Sequence, residues 1–268
     1  MIDEGVLEAA GKPVTAALAL HVFSGLVKHG EFFTRAGSMM AASDQLHVTV
    51  LGEGGHGSAP HLARDPVPAI AEMVLALQSM VTRQFDVADH VVLIIGLMEA
   101  GTKANVIPPT GHFHATIRTF SEQSRQRVTE AAVRLVKAIA LGHGLDAEVD
   151  YVSGYPVTVN DESETQLAVA MIDELFGRDR RHELPHPLPT AEDFSRILNR
   201  VPGTYVGLGA APERADPASV PFNHSPHARF DDAVLTDGAA FYAEWAIRRL
   251  AHEAGTRSCA RLRREGGS

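Results

Sequence analysis

Leu46 to His61, LHVTVLGEGGHGSAPH, is the stretch on which the reading of the whole chain turns. Its first six residues alternate strictly, with Leu46, Val48 and Val50 on one side and His47, Thr49 and Leu51 on the other, which is the period of a half-buried strand. The strand runs into Gly52, Gly54, Gly55 and Gly57, residues that let a backbone approach another surface closely and take dihedrals that side chains forbid. His56 sits among them. It is either aimed at a ligand or incidental to a glycine-rich hairpin, and this stretch alone leaves both readings open.

The residues that follow extend the pattern into a repeating unit. Asp65, Pro66 and Pro68 lead into a helix over Pro66 to Gln84, with Ile70, Met73, Val74, Leu77, Met80 and Val81 on one stripe. Strands over His90 to Met98 and Gly111 to Phe120 come next, then a helix over Glu122 to Leu141 and a strand over Ala147 to Val152. The order β-α-β-β-α-β predicts a four-stranded antiparallel sheet with both helices on one face. Such a sheet leaves its other face and an edge to be covered, and a second copy of the chain is a common cover.

Before this unit, Met1 to Glu8 reads as the second half of a helix, and Val14 to Val22 as a buried strand with His21 at its carboxyl end, where open α/β sheets bind ligands. After it, helices are predicted over Ser163 to Leu175, Thr190 to Leu198 and Asp237 to Ala251, with a short strand at Thr204 to Leu208. The loop from Ala210 to Pro226 carries Asn223 and His224, and Ala254 to Ser268 reads as a disordered tail.

Composition bounds the function. The 268 residues are 45% hydrophobic and 21% charged with a net charge of -9, so the chain is globular and has no basic field for nucleic acid or an anionic membrane. Its one cysteine, Cys259, excludes an internal disulfide and a cysteine-based metal site, which suits a reducing cytoplasm. No apolar run reaches the length of a membrane span. A small-molecule or protein partner is expected.

Several constellations bear on chemistry. His182, Glu183 and His186 spell HELPH, but Pro185 cannot lie inside the helix that an HExxH zinc site requires. In TAEDFS, Thr190 is a helix N-cap with Asp193 three residues on, and the carboxylates of Glu192 and Asp193 suit either the helix dipole or a site for metal or substrate amine. GTKANVIPP puts Asn105 in a bend, and Arg118 ends the following strand, where its forked donors can clamp a carboxylate. His21 and His224 are candidate metal ligands without a third donor close in sequence to either.

With these residues assembled, the chain resembles the hippurate hydrolase and indole-acetyl-amino-acid hydrolase group of metal-dependent amidohydrolases, relatives of aminoacylase and the carboxypeptidase G enzymes. The resemblance runs from Met1 to about Leu250. It rests on LHV at Leu20 to Val22, GGHGSAPH at Gly54 to His61, GTKANVIP at Gly101 to Pro108, IRTF at Ile117 to Phe120, AEDFS at Ala191 to Ser195 and HSPHARFD at His224 to Asp231. It implies an α/β fold: part of a zinc-peptidase-like catalytic domain (residues 1–44 and 154–253) with an inserted ferredoxin-like dimerisation or lid domain (residues 45–153).

The resemblance further implies that His21 and His224 are ligands of a divalent metal, zinc or manganese, bound two per site in the full enzyme. It implies that His56 reaches across a homodimer to the scissile carbonyl of an N-acyl amino acid, and that Asn105 and Arg118 hold the substrate's carboxylate. Glu192 lies in a motif near the family's site and is expected to bind substrate. Family members also carry a Cys-Gly-His-Asp metal motif and a Pro-Ala-Glu-Glu motif that supplies the general base. Neither is in this sequence, which starts just after the place of the Glu-Glu pair, so the chain by itself is expected to be inactive. The alternatives are a non-catalytic dimerisation or small-molecule-binding remnant, and a dipeptidase or deacylase of the same family.

Overall fold

The computed structural model describes the backbone of residues 1–265 and the side chains of residues 1–252. In chain order the elements are β1 (Ala17–Phe23), β2 (Phe32–Thr34), β3 (Gly37–Met40), β4 (Ser43–Leu51), β5 (Gly55–His56), α1 (Pro66–Gln84), β6 (Val91–Ala100), β7 (Val106–Ile107) and β8 (Thr110–Thr119). They continue with α2 (Glu122–Gly142), β9 (Asp146–Tyr155), β10 (Thr158–Asn160), α3 (Glu162–Leu175), β11 (Arg181–Glu183), α4 (Ser195–Leu198), β12 (Gly203–Gly209) and α5 (Leu235–Glu265). The chain divides into two compact units, one of Met1–Met39, Val159–His186 and Arg196–Ser268, the other of Met40–Thr158 and Pro187–Ser195. No helix among the described residues is long and apolar enough to cross a membrane.

The second unit has the topology expected from its periodicity. Its sheet runs in the order β6-β8-β4-β9 with every neighbouring pair antiparallel, and α1 and α2 cover one face. Leu46, Val48 and Val50 of β4 and Phe113, Ala115 and Ile117 of β8 face the helices, which return Ile70, Met73 and Leu77 from α1 and Val128, Ala132 and Val136 from α2. The helices start where their caps dictate. The Asp65 carboxylate accepts the Val67 N–H at 3.0 Å with Pro66 in the first turn, and Ser121 Oγ accepts the Ser124 N–H at 3.1 Å.

One buried carboxylate ties this unit together. Asp44 has no exposed side-chain surface, and it accepts two hydrogen bonds from the Arg125 guanidinium at 2.7 and 2.8 Å, one from Tyr151 Oη at 3.1 Å and one from the Gly154 N–H at 2.9 Å. Together these join β4, α2 and β9 at the place where the β4–β9 register slips between Ser43 and Asp44. Burial pushes the Tyr151 hydroxyl well above its ordinary range.

The first unit holds a four-stranded sheet in the order β1-β12-β2-β11, with β1 parallel to β12. Phe32, Val206 and Leu208 from the sheet meet Ala168, Met171 and Ile172 of α3 and Phe241 of α5. A Cβ on Gly207 would collide with the Phe33 ring, so only glycine fits there. β1 is an edge strand, and the Tyr242 hydroxyl accepts its Leu20 N–H at 2.8 Å.

Four expectations change. The run at Val14 to Val22 is a half-exposed edge strand beginning at Ala17, not a buried one. Met1 to Glu8 holds only a 3-10 turn over Val6–Glu8, because Gly5 takes a φ of 81° that breaks the helix before it. The helix predicted from Thr190 shrinks to Ser195–Leu198: the Glu192 carboxylate accepts the N–H groups of Asp193 and Phe194 at 3.0 and 3.4 Å and closes a local turn instead. The tail expected from Ala254 is drawn as helix through Glu265, and residues 266–268 lie outside the described residues.

Two outcomes follow. Asp44→Asn removes one partner of a buried ion pair and is expected to cost about 3 to 5 kcal/mol in urea unfolding, whereas a cost below about 1 kcal/mol would show that the cluster is peripheral. On the open face of the sheet, His114 stacks on His47 at 4.1 Å and lies 5.7 Å from His112. Partial desolvation first, then the positive charges of His47 and His112, lower its pKa below the ordinary 6.5, with Glu99 opposing. The unfolded chain therefore takes up the proton more readily, and stability present above pH 6.5 is lost as pH falls. Between pH 7.5 and 5.5, His114→Gln should lose less stability than the parent chain; an equal loss would remove His114 as the cause.

Candidate functional site

β1 and β12 run parallel with His21 opposite Gly207, so His21 stands near the carboxyl end of its strand. Its Nδ1 lies 2.8 Å from the Val22 carbonyl oxygen. A carbonyl can only accept, so Nδ1 carries a proton, and in the neutral ring Nε2 is then the bare nitrogen with which an imidazole ligates a metal. The ring is wedged between Phe23 and Tyr205, at centroid distances of 4.9 and 6.1 Å.

The same carbonyl brings in the distant loop. Asn223 Nδ2 donates to the Val22 oxygen at 2.8 Å, while Asn223 Oδ1 accepts the Ser24 N–H at 2.8 Å and faces Ser24 Oγ at 3.0 Å. Asn223 thereby fastens the 221–227 loop to the end of β1 and brings His224, the next residue, to the same strand end. His224 has a φ of 71°, a strained choice for a residue with a side chain and one that concentrates at functional sites. From sequence, Asn223 is placed in this loop without a role, and Ser24 is not singled out. The readable signal was an asparagine before a candidate ligand, a side chain able to donate and accept at once.

In the second unit the two loop motifs meet. β5 pairs with β7 so that Gly55 opposes Ile107 and His56 opposes Val106, and the Gly57 N–H donates to the Asn105 carbonyl at 2.9 Å. A Cβ on Gly57 would lie 3.2 Å from the Asn105 carbonyl carbon and oxygen, which explains the glycine. His56 and Asn105 are thus neighbours at one tip, both exposed. Ser58 reaches back to His56 Nδ1 with its N–H at 3.2 Å and its Oγ at 2.8 Å.

Arg118 is elsewhere. It pairs with Val92 at the far end of β8, and its guanidinium contacts Ser43 Oγ. From Thr110 to Arg118 the strand advances about 27 Å, so one small carboxylate cannot touch both Asn105 and Arg118 of a single copy. Glu192 spends its carboxylate on its own turn, as described above. His182 and Glu183 lie on a strand, which agrees with the rejection of HELPH as a zinc helix.

Two imidazoles fall short of the three or more protein donors that a catalytic divalent metal takes. Among the described residues no group of three or more His, Cys, Asp or Glu side chains converges to hold a metal. The residues present therefore do not fit a complete dinuclear centre.

The chain is of mixed α/β class, with His21 near a strand end in one unit and a βαββαβ sheet unit in the other. Residues 1–248 match the peptidase family M20/M25/M40, and the chain belongs to that family. It is 32% identical over 249 residues to thermostable carboxypeptidase 2 of Saccharolobus solfataricus, covering 92% of this chain and 61% of the relative. It is 31% identical over 221 residues to hippurate hydrolase of Campylobacter jejuni, covering 82% and 56%. A solved Bacillus subtilis structure, described as a dinuclear metal binding peptidase of the M20 family, superposes with a TM-score of 0.72 at 25% identity, covering 93% of this chain and 60% of that one. The chain spans about three-fifths of the length of these proteins.

Asn223→Ala removes hydrogen bonds to Val22 and Ser24 and is expected to cost about 2 to 3 kcal/mol in urea unfolding. A cost within about 0.5 kcal/mol, the range of an ordinary surface substitution, would mean that the loop is held by other contacts.

Proposed function

We propose that this chain carries the substrate-holding part of a metal-dependent amidohydrolase acting on hippurate-like N-acyl amino acids. In that reaction water adds to the acyl carbon, the C–N bond breaks, and the departing nitrogen takes a proton to leave a free amino acid and a carboxylic acid. The observation that carries the proposal is the marriage of the two motif loops, which sets the His56 imidazole beside the Asn105 carboxamide at one exposed tip. With Ser58 N–H on Nδ1, the proton of neutral His56 is on Nε2, a donor suited to an oxygen that gains negative charge.

The strand length separating Asn105 from Arg118 favours a division of labour between two copies, with His56 and Asn105 from one serving the substrate that Arg118 of the other holds by its carboxylate. The edge strand β6 supports such pairing, since Val92, Ile94 and Met98 are 41%, 53% and 58% exposed along it. His21 and His224 offer two ligands for a divalent ion, zinc or manganese, and the likeness to a dinuclear metal binding peptidase supports that assignment. Glu192 is retained as a proposed substrate contact on the strength of its AEDFS motif alone.

Because these donors do not complete a metal centre and the sequence holds no Pro-Ala-Glu-Glu base, the chain by itself is inactive in this account. The same incompleteness favours the second reading, a dimeric binding protein without catalysis. Purified chain supplied with zinc or manganese should release no benzoate from hippurate above the uncatalysed rate; turnover at rates of about 1 s⁻¹ or more would contradict the account. Light scattering should find a dimer that Ile94→Lys converts to monomer, and a parent chain that is monomeric at 100 μM would sink the pairing.

A further inference from the structure

We infer that Ser58 is a positioning residue: its N–H and hydroxyl converge on His56 Nδ1 and fix the imidazole as an Nε2–H donor before any ligand arrives. The inference rests on the reading of His56 as a substrate contact but adds a role that the chemistry of amide hydrolysis does not itself require.

The donors around the ring fix its tautomer. A backbone N–H can only donate, so its 3.2 Å contact requires the bare form of Nδ1. The Ser58 hydroxyl, 2.8 Å from the same nitrogen, must then donate as well, since Nδ1 has no proton to give. The other ring nitrogen carries the hydrogen. That arrangement is the reverse of His21, whose Nδ1 donates to a carbonyl and whose Nε2 is bare. The chain thus holds two imidazoles in opposite tautomers by local hydrogen bonds, one suited to a metal and one suited to an oxygen acceptor such as an acyl carbonyl or a carboxylate.

The rest of the loop is built to keep the contact. Gly57, between the two residues, is pinned by its own N–H on the Asn105 carbonyl, and β5–β7 pairing fixes the backbone of His56. The ring would otherwise rotate freely, because His56, Gly57 and Ser58 are all exposed and no core side chain holds it. With the hydroxyl in place, ring orientation and tautomer are set in advance, and a ligand need not pay for ordering them.

The test is nitrogen-15 NMR of the ring nitrogens of the full chain at pH 7.5, which needs no turnover. Parent His56 should show Nδ1 as bare imine nitrogen and Nε2 as N–H, with one χ1 rotamer in the side-chain couplings. Ser58→Ala, at an exposed position that leaves the fold intact, should lose about five-fold in preference for that single ring orientation, the weight of one hydrogen bond. Ser58→Thr keeps the hydroxyl and should restore it. A protonated Nδ1 in the parent chain, or an Ala variant with unchanged ring couplings, overturns the inference. If the expected pattern is found in a chain that binds no N-acyl amino acid, the positioning role stands and only the substrate reading falls.

Discussion

The hydrogen bond from the Gly57 N–H to the Asn105 carbonyl is a short contact with large consequences. Forty-seven residues of chain lie between its two ends, and they include all of α1 and β6. That contact can form only if the sheet register between β4 and β8 is right, because β4 delivers one loop and β8 follows the other. A slip of one residue would turn Leu46, Val48 and Val50 out of the core and separate His56 from Asn105 at the same stroke. Folding of the βαββαβ unit and assembly of its tip are therefore one event.

In the other unit the Val22 carbonyl plays the corresponding part. By accepting from His21 and from Asn223 it sets a tautomer and anchors a loop whose ends are far from β1 in sequence. The strained backbone of His224 is held by that anchorage. In the proposed reading these two histidines are donors to a divalent metal, and they are too few to make a centre by themselves.

Much of this was legible in the sequence, for physical reasons that differ by element. The strands of the second unit alternate because one face is wet, and α1 carries a stripe because one side is buried, so periodicity located both, and α1 at its exact ends. The edge position of β1 was hidden, since an apolar run looks the same at the middle of a sheet and at its edge. The helix expected at Thr190 failed because the sequence shows a cap box but not that Glu192 will take the N–H groups for a turn of its own. Asn223 and Ser58 were invisible as actors. Each works through a hydrogen bond to a histidine or to the carbonyl beside it, and such partners are defined only once the loops are folded.

The central proposal is that His21 and His224 offer two ligands to a divalent metal in a site that they do not complete. Calorimetric titration of the purified chain with zinc and with manganese tests it most directly, alongside His21→Ala and His224→Ala. The account predicts weak binding of at most one ion per chain, abolished by either substitution. Tight uptake of two ions by the parent chain, or binding that survives both substitutions, would contradict it.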